Sequence, residues 1–181
     1  MRPKQNIDWD NLGFDPFETR SMYIATCDSS FKWLNKGLVP YGEISLSPAS
    51  AVLNYGQGVF EGTKAYMTSR GRVVFFRLEE NAKRFTDSCR RLCIPDVPHD
   101  LFIDAVKETV MDNLDYIPEN EKGSLYIRPL VWGTGPMLGV KPADSYTFLI
   151  FVTPVGSYFK SGLKFLFPDP IRQLRFHAEP K

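Results

Sequence analysis

Two stretches with helical spacing lie back to back in this sequence, and every stretch with strand character falls before or after the pair. Between Leu78 and Leu92 the apolar residues Ala82, Phe85, Cys89 and Leu92 recur at intervals of three and four, which sets them on one side of a helix, away from Glu79, Glu80 and Lys83. Arg84 lies off that stripe. Pro95 and Pro98 end the first helix, and a second is expected from Asp100 as N-cap, with Leu101, Ala105, Val106, Thr109, Val110 and Leu114 facing inward and Pro118 and Gly123 closing it. Strands are expected at Tyr23–Cys27, at Glu43–Leu46, at Thr63–Met67 and Val73–Arg77 joined by a turn at Gly71, at Ser124–Trp132, and at Tyr146–Thr153. A parallel, doubly wound sheet needs strand and helix to alternate. This order instead predicts an α+β fold, with the helices packed on a largely antiparallel sheet.

At 181 residues and 43% hydrophobic content the chain has the material for one domain with an appendage. Its net charge of +1 gives no positive field to gather a phosphate backbone, so nucleic acid is not an expected partner. Cys27, Cys89 and Cys93 are odd in number and irregular in spacing, which points to a reducing compartment rather than a disulfide framework. With only His99 and His177 to add, no zinc site is expected. The first ten residues set Arg2 and Lys4 against Asp8 and Asp10 without an apolar run, unlike a secretory signal or an acid-poor transit peptide, so the expected location is cytoplasmic. The apolar run Phe148–Val152 is far shorter than the ~20 residues of a membrane span, and none is expected.

The glycines Gly56, Gly58 and Gly62 in YGQGVFEG invite a dinucleotide-binding reading. That fingerprint must open a helix, whereas these glycines lead into the expected strand Thr63–Met67, so turns beside a cleft fit better. The cluster Gly133, Gly135 and Gly139 contains Pro136, whose missing N–H weakens a phosphate cradle, and is read as a tight loop. Cys89 and Cys93 stand four apart, a spacing open to two metal ligands, but Cys89 falls on the apolar stripe, where a cysteine packs. His99 is read as an exposed residue of the turn before the second helix, and His177 has no place in the pattern. Tyr126 and Arg128, two apart on a strand, project from one face. An arginine fork beside a phenol suits the carboxylate of an amino or keto acid; equally, the two are a surface pair with the arginine in an ordinary salt bridge.

Four stretches in order resemble the branched-chain amino acid aminotransferases, members of the class IV pyridoxal-phosphate fold. They are LNYGQGVFEGTKAY from Leu53, then Phe76-Arg77 with Asn81-Ala82 and Arg84, then LYIRPL from Leu125, and PVGSYF from Pro154. The resemblance covers about residues 7 to 162 and implies the small N-terminal domain of that fold, with residues 1–20 as an extension, 21–162 as the domain and 163–181 as a divergent tail. It implies that Arg84 binds the phosphate of pyridoxal 5'-phosphate. It implies further that Tyr126 and Arg128 handle substrate carboxylates, while Tyr55 and Phe60 wall the pocket for the branched side chain of leucine, isoleucine or valine. For Glu61 and the glycines only support of that wall is inferred. The partners it implies are small amino acids and 2-oxo acids, and a homodimer in the full-length family. The family continues into a larger domain that carries the Schiff-base lysine, and no residue here matches that lysine; Lys141 echoes its Gly-Val-Lys context but sits in a loop of the small domain. The expectation is therefore a truncated chain, inactive alone. The alternatives are a non-catalytic docking partner of a full-length subunit, or another class IV enzyme acting on D-amino acids or as a lyase, against which the Tyr-Ile-Arg-Pro and Phe-Glu-Gly-Thr-Lys wording argues.

Overall fold

In the computed structural model, which describes residues 7–119 and 122–156, the chain runs β1 (Ser21–Cys27), β2 (Trp33–Pro40), α1 (Ala51–Tyr55), β3 (Gly58–Phe60), β4 (Thr63–Met67), β5 (Val73–Phe75), α2 (Leu78–Arg91), α3 (His99–Asp112), β6 (Ser124–Gly133) and β7 (Tyr146–Val155). The strands make one antiparallel sheet in the order β2-β1-β7-β6-β4-β5, with β3 also paired to β6. Aromatic and β-branched residues dominate β7, which lies between β1 and β6 at the centre of the sheet. The first and last strands of the described chain are thus neighbours: Tyr23 stands opposite Ile150 and Cys27 opposite Tyr146.

The two long helices cover one face. Ala82, Phe85 and Cys89 of α2 and Phe102, Ala105, Val106 and Val110 of α3 are buried against Tyr23, Leu125, Ile127, Phe148 and Ile150 of the sheet. At the centre Phe85, Phe102 and Phe148 meet with ring centroids 5.3 to 6.1 Å apart. Each such side chain stabilises the fold by roughly 1.5–3 kcal/mol through burial alone. On the other face Met22, Trp132 and Leu149 form a smaller apolar cluster. This is the antiparallel α+β arrangement that the back-to-back helices predict.

Several local expectations need correction. No strand forms at residues 43–46; the partner of β1 is β2, whose Asn35-Lys36-Gly37 reads as a turn. That triplet is a β-bulge: Ile24 pairs with Gly37 and Ala25 with Asn35, leaving Lys36 extra, and Gly37 adopts φ +73°, which glycine reaches without a Cβ clash. Asp100 is not the N-cap of α3. Pro98 holds that position, and the Asp100 carboxylate accepts the Leu101 N–H at 2.9 Å inside the first turn, where its charge suits the helix dipole. The inward stripe of α3 centres on Phe102, with Leu101 only partly buried and Leu114 in a short 3-10 turn beyond the helix. Leu92 caps α2 and is exposed, because the chain turns away there. The strand at 73 ends at Phe75, not Arg77, whose left-handed backbone (φ 50°) starts α2.

Candidate functional site

Pro129 sits inside β6 and has no N–H to give its neighbour across the ladder. The consequence lies on the adjoining strand. Phe60 pairs with Leu130 and Thr63 with Ile127, the same register on both sides, so β3 and β4 are one strand interrupted at Glu61 and Gly62, opposite Pro129 and Arg128. The Glu61 N–H still reaches the Pro129 carbonyl at 2.9 Å, but no bond returns. The pairing resumes at Thr63.

Alternation along the strand sorts the side chains at this break. Phe60, Lys64, Tyr126 and Arg128 take the face away from the long helices, while Glu61 turns toward α2. There Arg84 donates to Glu61 twice, Nε to Oε2 at 2.7 Å and Nη2 to Oε1 at 2.6 Å. Glu61 Oε1 also accepts the Gly62 N–H at 2.8 Å and a long bond from Asn81 Nδ2 at 3.5 Å. The Glu61 side chain is 8% exposed and that of Arg84 44%. Donating hydrogen bonds to the Glu61 carboxylate raises the guanidinium pKa above its already high ordinary value, so Arg84 is a fixed cation. On the other face Arg128 lies over the Phe60 ring at 4.6 Å and the Tyr126 ring at 5.2 Å, and its Nε and Nη2 donate to the Tyr126 hydroxyl at 3.2 and 3.0 Å. Burial pulls the Lys64 amine below its ordinary pKa.

Between these groups opens a cleft of about 390 Å³ lined by Phe60, Glu61, Gly62, Arg84, Ser88 and Tyr126. The fold thus brings Arg84, Phe60, Tyr126 and, through Tyr126, Arg128 to one place. The salt-bridge alternative for Arg128 does not hold among the described residues, where its partners are the Tyr126 phenol and the Phe60 ring. Tyr55 ends α1, 42% exposed, and is not among the residues lining the cleft. Cys89 is buried, its thiol pushed up to about 12 chiefly by desolvation, while Cys93 lies past the end of α2 with a left-handed φ of 53°, so helical spacing does not join them. Among the described residues no three His, Cys, Asp or Glu side chains gather as a metal site. His99 is the exposed first residue of α3 rather than part of the preceding turn, and Lys141 is exposed between β6 and β7. His177, Lys160 and the tail 163–181 lie outside the described residues. The grip of Glu61 on Arg84 is the element the sequence reading missed; its signal was a proline inside a strand facing a Glu-Gly pair.

This antiparallel sheet with two long helices on one face, and an arginine from α2 at its broken strand, has the architecture of the small domain of class IV aminotransferases. Solved structures share it. The Escherichia coli branched-chain amino acid aminotransferase matches 77% of this chain and 41% of its own, with a TM-score of 0.61 and 26% identity. The T.th. branched-chain amino acid aminotransferase, solved with pyridoxamine 5'-phosphate, matches 80% and 42%, with a TM-score of 0.61 and 31% identity. In sequence, the chloroplastic branched-chain amino acid aminotransferase 2 of Humulus lupulus is 52% identical over 158 residues, which is 87% of this chain and 39% of the relative. The Helicobacter pylori enzyme is 45% identical over 161 residues, 88% of this chain and 47% of the relative. No protein-family model matches the chain. The chain is thus related over nearly nine tenths of its length to the branched-chain amino acid aminotransferases, and it spans about two fifths of the length of the curated relatives it matches.

Proposed function

We propose that this domain orients substrate and cofactor for amino transfer between leucine, isoleucine or valine and 2-oxoglutarate. The observation that carries the reading is the convergence of Arg84, Phe60 and Tyr126 on one cleft, with Arg128 held against Tyr126. Arg84 is the phosphate anchor for pyridoxal 5'-phosphate: its Nη1 makes no hydrogen bond among the described residues, and its charge is fixed. When bound, that cofactor supplies the electron sink for moving the amino group. Arg128 presents its remaining N–H groups to a substrate carboxylate, and Tyr126 holds the guanidinium at its angle. Phe60 walls the side-chain pocket, where each buried CH₂ favours binding by ~0.8 kcal/mol. Tyr55 belongs to the same wall by resemblance alone, since it does not line this cleft.

The fit to the cofactor is good for its phosphate and incomplete for its aldehyde, because no lysine among the described residues lines the cleft. The reading is therefore that the 181-residue chain alone is inactive and does not retain the cofactor. The domain limits 1–20, 21–162 and 163–181, the homodimeric assembly and the cytoplasmic location belong to the same proposal. Relatives carry chloroplastic and mitochondrial names, and no helix among the described residues is long and apolar enough to cross a membrane. Imaging the chain with a C-terminal tag tests the location. For activity, the purified chain is mixed with pyridoxal phosphate, desalted and examined for cofactor absorbance, then assayed for glutamate formed from leucine and 2-oxoglutarate. Retained cofactor with turnover overturns the inactive reading, and Lys64, half-buried on the strand opposite Tyr126, is then the first lysine to replace, before Lys141 and Lys160.

A further inference from the structure

A guanidinium has two flat edges that can each dock an oxyanion, one made by Nε with Nη2 and the other by Nη1 with Nη2. Glu61 occupies the first edge of Arg84 through both carboxylate oxygens. The second edge takes no bond from any described residue, and the side chain that carries it is 44% exposed where it lines the cleft. Of the two partners, Glu61 is the anchored one. It is buried, its Oε1 accepts the Gly62 N–H as well as Arg84, and its backbone is pinned by the 2.9 Å bond to Pro129 across the strand break. Arg84 reaches it from a separate helix on a long, partly solvated stem.

We propose that Glu61 is a positioning residue: by holding the Nε–Nη2 edge of Arg84, it aims the Nη1–Nη2 edge into the cleft as a ready docking edge for the oxygens of a phosphate group. The inference rests on the phosphate reading of the cleft and adds to it the residue that sets the arginine's orientation. Glu61 is not a competitor that an anion must displace, because the anion and the carboxylate use different edges. The strand register makes this arrangement available: alternation turns Glu61 toward α2, where the Gly62 N–H fixes its carboxylate at 2.8 Å.

The test is side-chain NMR of the whole chain labelled with ¹⁵N-arginine, titrated with inorganic phosphate; the Arg84→Lys variant identifies the Arg84 signals by their loss. In the native chain the Arg84 Nε–H is expected to exchange slowly and hold its shift as phosphate is added, while the Nη signals move. In Glu61→Gln the Nε–H is expected to exchange about tenfold faster or more, and phosphate then shifts Nε as strongly as Nη. Glu61→Asp keeps the charge but shortens the reach by one CH₂; it is expected to behave as Glu61→Gln does, and it stands in should that variant fail to fold. Phosphate that shifts the native Nε and removes its protection overturns the positioning role and makes Glu61 a competitor. The role is equally overturned by a Glu61 variant that keeps native protection and native selectivity for Nη. Phosphate that moves neither nitrogen, with Nε still protected, overturns the anion reading of the cleft itself and the inference with it, a result distinct from displacement of Glu61.

Discussion

The Tyr126 hydroxyl lies directly over Gly62, in the space that a Cβ at that position would fill, with the ring carbons Cζ and Cε2 at 3.1 and 3.3 Å from it. The phenol that fixes Arg128 thus stands on a bare backbone at the strand break, and the need for glycine there comes from close approach, since Gly62 has no positive φ. Gly62→Ala is expected to push the ring aside and cost about 1–3 kcal/mol, as overpacking does. The melting temperature should then fall by roughly 2–4 °C per kcal/mol in a chain of this size. In a double-mutant cycle with Tyr126→Phe the two losses should not add, because both remove the same contact with Arg128; additive losses would break the link.

The ion pair of Glu61 and Arg84 is lopsided in exposure, and its two halves should differ in cost. Arg84→Ala leaves a buried carboxylate without its cation and is expected to destabilise by about 1–3 kcal/mol. Glu61→Gln leaves a guanidinium that water can reach and an amide oxygen for the Gly62 N–H, so about 1 kcal/mol or less is expected. Urea midpoints of the two variants measure the difference. Equal losses would mean the carboxylate is not the buried partner that governs the pair.

Arg128 is held by the Tyr126 phenol and the Phe60 ring, with no carboxylate of the described residues upon it, and on the proposed reading is ready for one from a ligand. Arg128→Ala is expected to weaken binding of the 2-oxo acid of leucine about tenfold to a hundredfold, the loss of one charge-assisted hydrogen bond of ~1.5–3 kcal/mol. On the proposed reading Arg84 serves the phosphate end, so Arg84→Ala should leave that binding within about twofold. Chemical-shift titration of each variant with the oxo acid decides between them.

Burial pushes the Cys89 thiol up to about 12, and raises Cys27, Tyr23 and Tyr146 as well, each mainly by desolvation. A raised folded pKa means the native state holds its proton more tightly than the unfolded chain. The stability this contributes is complete below the unfolded thiol value near 9 and drains away as pH rises toward about 12. Unfolding free energy is expected to fall by up to ~1.4 kcal/mol per pH unit for each proton concerned, starting near pH 9. Urea melts at pH 8, 9 and 10 check it, and a Cys89→Ala chain, weaker at neutral pH, should show a shallower decline. A thiol reagent should meanwhile modify exposed Cys93 first and reach Cys27 and Cys89 only on unfolding.

The helices and the fold class were readable because periodicity alone encodes them. Ala82, Phe85 and Cys89 recur at helical intervals, and the same residues are the buried ones. Tyr126 and Arg128 share a face for an equally local reason, the two-residue period of a strand. β2 escaped because Asn35-Lys36-Gly37 looks like a turn in isolation, and only the ladder with β1 converts it into a bulge within a strand. Residues 43–46 failed the other way: their propensity for strand found no partner edge.

The cleft itself could not be read along the chain. Arg84 and Glu61 are 23 positions apart and on different kinds of element, and their meeting depends on the register that sets Glu61 opposite Pro129 of β6, on the face that α2 covers. The local pattern sets which side of its own helix or strand a residue occupies, since that follows from 3.6- and 2-residue repeats. Which residues from separate elements then face one another is set by strand order, register and the break at 61–62, quantities that exist only once β3, β4, β6 and α2 have packed together.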